Sequence, residues 1–145
     1  MRNLVCAAAT CAVILASLGG AMAAGEIAAR QEAMKGVGGA MKAIKAAVEG
    51  DKAADAVGPA EKIVATMKTY PDLFPKGSDV GETDAKPEIW DEWDKFKMAA
   101  ANAGEAAGKL AMVAATGDAA ATGEAMKALG GACGGCHKPY RKPKT

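Results

Sequence analysis

From Ile27 to Val48 the chain carries an apolar stripe: Ile27, Arg30, Met34, Val37, Met41, Ile44 and Val48, spaced alternately by three and four residues. That rhythm keeps side chains on one face of a helix packed in a bundle. A strand, whose side chains alternate with a period of two, would scatter them over both faces. The stripe predicts a first helix over about Glu26 to Glu49. Composition supports an all-helical reading: half the residues are hydrophobic but only 4% are aromatic, and alanine alone makes up about half of the apolar count. Alanine favours close-packed helices, whereas a β-sandwich needs many β-branched and aromatic residues. Two features of the stripe stand out. Arg30 puts a charge among hydrophobes, and Gly36, Gly38 and Gly39 interrupt good helix formers at about 1 kcal/mol each. The glycines predict that something flat or close packs beside them.

Three more helices follow. The second begins at Asp51 as N-cap and ends near Tyr70-Pro71, with Val57, Ile63, Val64 and Met67 inward. Pro59 near its start delays the first regular turn. Pro71 to Lys86 is a long connection in which Leu73 and Phe74 read as an anchor on the core. Pro87 opens a third helix running to about Ala115, with Ile89, Trp93, Phe96, Ala100, Ala103, Ala107, Leu110 and Ala114 on one face. Gly104 and Gly108 on that helix permit a close crossing. Asp118 caps a fourth helix running towards Arg141, with Met126, Leu129, Cys133, Cys136 and Tyr140 along one side. The prediction is an all-α, antiparallel up-down-up-down four-helix bundle with one long loop between helices 2 and 3.

The beginning of the chain reads differently. Met1-Arg2 precedes an apolar run, Leu4 to Leu18; Gly19-Gly20 breaks it, and Ala21-Met22-Ala23 matches a small-residue cleavage site. Residues 1–23 are expected to be a cleaved signal peptide, and 24–145 the domain. The mature protein is then expected in the periplasm, with no membrane attachment. With 18 basic and 17 acidic residues, no bulk charge draws the chain to nucleic acid.

Once Cys6 and Cys11 leave with the leader, the remaining cysteines and the only histidine lie within Cys133-Gly134-Gly135-Cys136-His137. This C-x-x-C-H run is the attachment motif of c-type haem. Two thiols three residues apart can add across two vinyl groups on one haem edge, and the following histidine can then coordinate iron. The intervening glycines keep the backbone low beside the porphyrin. Three other uses compete less well. A thioredoxin-like pair needs a βαβ setting, a zinc site needs further cysteine or histidine ligands, and a simple disulfide leaves His137 without a role. A single histidine also leaves nothing with which to build a Ser/His/Asp triad.

A four-helix bundle with this motif near its C-terminus resembles the cytochrome c′ family, which includes the low-spin cytochromes c-556. The resemblance spans essentially the whole mature chain. It includes Arg30-Gln31-x-x-Met34, Leu73-Phe74-Pro75-x-Gly77, Asp84 to Trp90, Cys133 to His137, and Tyr140-Arg141. It implies one covalent haem c on Cys133 and Cys136, with His137 as proximal axial ligand. It implies that Arg30 and Gln31 lie near the haem edge, Arg30 close to a propionate, and that Asp84 meets the haem periphery. Met34 would face the distal side of the iron, and Arg141 would lie beside the proximal imidazole. Pro139 departs from expectation, because it should kink or end the helix just after the ligand.

The residues themselves leave some roles open. Arg30 on a buried stripe either meets an anion such as a propionate or snorkels to water. Met34 is either a second axial ligand or core filler like Met41, Met67 and Met126. Trp90 and Trp93 read as packing. The basic tail of Lys138, Arg141, Lys142 and Lys144 is either a solvated end or a docking patch for an acidic redox partner. The leading function is electron carriage between redox partner proteins. The alternative is five-coordinate binding of diatomic gases such as nitric oxide. A peroxidase would need a distal base, and the only histidine is already used. A homodimer through the first two helices is a further expectation from the resemblance.

Overall fold

Why the chain becomes helical is settled locally, by alanine-rich segments whose apolar residues recur every three or four positions. The computed structural model describes the backbone of residues 11–143 and the side chains of 23–143. In it α1 spans Cys11–Glu49, α2 Val57–Thr69, α3 Glu88–Asp91, α4 Trp93–Ala114 and α5 Ala119–Tyr140. Single 3-10 turns at Ala53–Ala56 and Tyr70–Leu73 flank α2. No strand forms among the described residues; a lone antiparallel bridge joins Ala85 to Arg141. The long helices α1, α2, α4 and α5 form an antiparallel bundle. The packing of α4 against α2 and α5 is the most extensive, and α1 meets α5 more sparsely.

The helix ends differ from expectation in instructive ways. Helix α1 starts before Glu26 and runs through Gly19-Gly20 without a break; two glycines weaken a helix but do not forbid it. The expected leader lies partly outside the described residues and is otherwise met only as the backbone helix over 11–22. Asp51 is no N-cap. It adopts φ 55° and closes α1: its N–H donates to the Val48 carbonyl at 3.2 Å and that of Lys52 to Ala47 at 2.8 Å. These are the two bonds of a Schellman cap, and a short polar side chain tolerates the left-handed conformation there. Pro59 does not delay α2, because it sits in the first turn, where a missing N–H costs nothing. The third helix is interrupted at Glu92, whose φ/ψ of −115°/41° separates α3 from α4. Asp118 caps α5 as expected, its Oδ1 accepting from the Ala121 N–H at 2.9 Å. Pro139 lies inside α5, which ends one residue later at Tyr140.

Two apolar clusters result. The larger joins Val37, Ala40 and Ile44 of α1 to Ile63, Met67, Ala107, Leu110 and Leu129, with Met34 and Cys133 at its margin. The smaller gathers Phe74, Ile89, Phe96 and Tyr140, with Tyr70, Trp90, Trp93 and Cys136 around them. The Leu73-Phe74 anchor and the tryptophan packing are therefore as expected.

The glycines divide by location. A Cβ on Gly104 would stand 3.4 Å from Met67 Cβ, and one on Gly108 3.9 Å from Val64 Cγ2. This is the close crossing of α4 and α2. A Cβ on Gly38 or Gly39 would meet nothing within 4 Å, so no close neighbour explains them within the chain. Urea unfolding should therefore separate two variants. Gly38→Ala is expected to stabilise by about 0.5–1 kcal/mol. Gly104→Val is expected to destabilise by about 1–3 kcal/mol through overpacking.

Candidate functional site

Helix α5 presents Cys133, Cys136 and His137 within little more than one turn, all three half-buried. Both thiols are free. Cys133 packs at the edge of the larger cluster and Cys136 at the edge of the smaller, so the motif sits on the seam between them. Burial pushes the Cys133 thiol up, and burial with the neighbouring Cys133 pushes Cys136 up to about 11. Both are neutral thiols at neutral pH. Burial, followed by the positive charge of Arg141, pushes His137 down, leaving an imidazole with a lone pair for a metal. Gly134 and Gly135 are exposed, with open space where a side chain would stand. Among the described residues, no three His, Cys, Asp or Glu side chains are grouped to hold a metal ion by themselves.

Across the seam, Arg30 does not snorkel to water: it is 4% exposed. Its Nε donates to the Leu73 carbonyl at 2.6 Å, and its Nη2 donates to the Ser78 carbonyl at 2.9 Å and to the Ser78 hydroxyl. The guanidinium carbon lies 4.3 Å from the centre of the Phe74 ring and 5.6 Å from that of Trp90. Trp90 is held in turn by its indole N–H, shared between the Phe74 and Pro75 carbonyls at 3.1 Å each. Nη1 is buried without a partner. Desolvation lowers the Arg30 pKa, opposed by Tyr70, Glu26 and Asp79. A buried donor on a buried cation fits an anionic oxygen brought in from outside the chain, such as a carboxylate of a bound group.

Met34, one turn beyond Arg30 on α1, is half-buried against the same cluster as Cys133. Gln31 is exposed beside Arg30, and the Asp84 side chain is exposed on the loop. The Asp84 carbonyl accepts the Lys142 N–H at 2.7 Å, just past the end of α5. Arg141 ends α5 with an exposed side chain. The structure thus brings Arg30, Met34 and the C-x-x-C-H motif around one seam and leaves Gln31 and Asp84 at its rim.

Two residues of this region were not singled out from sequence. Tyr70 touches both clusters and couples electrostatically to Arg30 and Cys136. Its place three residues after Met67, just past the end of α2 and in line with its inward face, was the available signal. Ser78 gave none: it is a loop serine whose burial depends on the path of the chain.

A family model described as Cytochrome C′ matches residues 25–141. The cytochrome c′ of Pararhodospirillum photometricum is 41% identical over 116 residues, covering 78% of this chain and 93% of that one. A cytochrome c-556 of Agrobacterium fabrum is 42% identical over 129 residues, 87% of each. A solved cytochrome c′, described by an unusual ligand-controlled dimer dissociation, superposes with a TM-score of 0.74 at 35% identity. It covers 81% of this chain and 95% of the other.

Burial, with Cys136 beside it, pushes Tyr70 up to about 12 from an ordinary value of 10. The unfolded chain releases this proton first, so native stability falls as pH rises from the unfolded towards the folded value. Urea midpoints measured across that alkaline window should drop more steeply for the parent protein than for Tyr70→Phe.

Proposed function

This chain belongs to the cytochrome c′ family, and on that premise we propose that it is a periplasmic electron carrier whose single haem c is attached through Cys133 and Cys136. The family's haem supplies a reversible one-electron Fe(III)/Fe(II) couple. His137 is the proximal axial ligand in this reading. The observation that supports the assignment is two free thiols and a neutral imidazole on α5, with a buried guanidinium on α1 that has an unpartnered donor, Tyr70 acting electrostatically on both Arg30 and Cys136. Arg30 takes a propionate through Nη1, while Gln31 and Asp84 flank the haem periphery.

Met34 is proposed as the second axial ligand. It lies on the same face of α1 as Arg30, about 6 Å along the axis, and a soft neutral thioether favours Fe(II) and suits a carrier. The half-burial of Met34 among apolar neighbours supports this. A second reading keeps Met34 as a guard over five-coordinate iron that takes diatomic gases such as nitric oxide. A solved cytochrome c prime of Alcaligenes xylosoxidans, 26% identical with a TM-score of 0.71, is a nitric oxide complex, which favours that reading.

No substrate chemistry is assigned to the chain itself. Residues 1–23 are proposed as the cleaved leader; no helix among the described residues is long and apolar enough to cross a membrane. Redox proteins are the proposed partners. A second copy is a further candidate partner, meeting the first along α1 and α2. A shallow groove of about 370 Å³ lies there, lined by Gly36, Gly39, Ala40, Ala43, Gly58, Pro59 and Lys62. Its small side chains would let two such faces approach closely.

Two tests follow. Cys133→Ala or Cys136→Ala should yield little holoprotein, measured as covalent haem per mole of chain; normal loading of the double variant would refute the attachment. For Met34, the ferric protein should show a methionine charge-transfer band near the red end of the spectrum, and the ferrous protein should bind carbon monoxide weakly. Met34→Ala should abolish the band and open the site. A high-spin ferrous spectrum with ready carbon monoxide binding in the parent would transfer the function to gas binding.

A further inference from the structure

Arg30 has five N–H donors. The Nε donor goes to Leu73, and Nη2 goes to the Ser78 carbonyl and hydroxyl. Both Nη1 donors remain, and Nη1 is buried without a partner. Among the described residues no carboxylate forms an ion pair with Arg30. Removing one partner from a buried ion pair costs several kcal/mol, so a bare guanidinium here needs a strong local reason.

Ser78 supplies the aim. It is 2% exposed, and its hydroxyl donates to the Pro75 carbonyl at 2.7 Å. The single hydroxyl proton is thereby committed, and the oxygen must act as acceptor towards Arg30. The backbone N–H of Ser78 also donates to Pro75, at 3.2 Å. The hydroxyl and carbonyl of one residue therefore take the same nitrogen and fix the plane of the guanidinium. Phe74 supports its face.

We infer that Ser78 is a positioning residue: it orients Arg30 so that Nη1 is held for a haem propionate, and it influences the reduction potential only through Arg30. This rests on the propionate reading of Arg30 proposed above. The other charged or titratable groups that act on the guanidinium are Glu26 on α1, Tyr70 at the end of α2, and Asp79 in the loop. None of them is altered by changing Ser78.

The test is the reduction potential of the holoprotein as a function of pH, with urea midpoints measured in parallel. A cation beside a carboxylate lowers its pKa by about 1–3 units. Arg30→Leu should therefore move the propionate inflection to higher pH by about one unit or more. Ser78→Ala should move it in the same direction by a smaller amount, Ser78→Thr should restore it, and Arg30→Leu with Ser78→Ala should match Arg30→Leu alone. If Ser78→Ala fails to accumulate, Ser78→Cys offers a poor acceptor of similar size and is expected to show the same shift. An inflection moved by Arg30→Leu but not by the Ser78 variants overturns the role of Ser78 and leaves the propionate reading intact, whatever happens to the urea midpoint. Additive shifts in the double variant overturn it as well. An inflection unmoved by Arg30→Leu overturns the propionate reading and this inference together.

Discussion

A guanidinium withdrawn from water loses hydration worth several kcal/mol, and the surrounding chain must replace it with directed hydrogen bonds and an aromatic face. Around Arg30 that replacement organises half the molecule. The Leu73 and Ser78 carbonyls are drawn inward, which fixes the path of the loop after α2. The Phe74 ring lies beneath the charge, and Phe74 is also the centre of the smaller cluster, 4.8 Å from Phe96 and 5.9 Å from Trp90 between ring centroids. One buried cation therefore couples the register of α1 to the conformation of a segment more than forty residues away.

The loop explains its own length in these terms. At its beginning it is tied to α1 through Arg30. At its end the Lys86 N–H donates to the Tyr140 carbonyl at 3.0 Å, and Lys142 donates to Asp84 at 2.7 Å. It is a strap from the first long helix to the last, and it passes outside the seam where α1 and α5 meet sparsely. Gly77 and Gly81, at φ 83° and 123°, provide turns that side chains would resist. A two-residue turn between α2 and α3 would close the bundle but leave that seam unframed.

The helical faces could be read from sequence because each is set by neighbours three and four residues away; Ile44, Ile63, Leu110 and Leu129, one from each stripe, are fully buried. The boundaries were less legible because they depend on hydrogen bonds that composition does not specify. Asp51 reads from sequence as the start of the second helix, but its left-handed φ makes it the end of the first. The interruption at Glu92 coincides with a tertiary contact, its carboxylate accepting the Tyr140 hydroxyl at 3.3 Å from 48 positions away. In the site, Cys133, Cys136 and His137 were visible as a contiguous motif and Arg30 as a charge on an apolar stripe. Ser78 was invisible because its partner lies 48 positions away in sequence.

The same reasoning bears on why the site lies where it does. The larger cluster is built mainly from alanines and a few aliphatic residues, and its helices pack closely because their side chains are small. The aromatic residues are concentrated in the other cluster, at the strap end of the bundle. Alanine contributes little apolar area, at about 25 cal/mol per Å² buried, so a chain of this composition lacks hydrophobic bulk along α1 and α5. A flat, largely apolar prosthetic group fastened to α5 by two thioethers supplies that bulk at the sparsest contact in the bundle. In the proposed reading the covalent bonds would fix its edge and the buried cation would meet its charged periphery. The proposed electron transfer would benefit from the same arrangement, because a group held by covalent bonds, an axial ligand and a fixed guanidinium reorganises little when its charge changes.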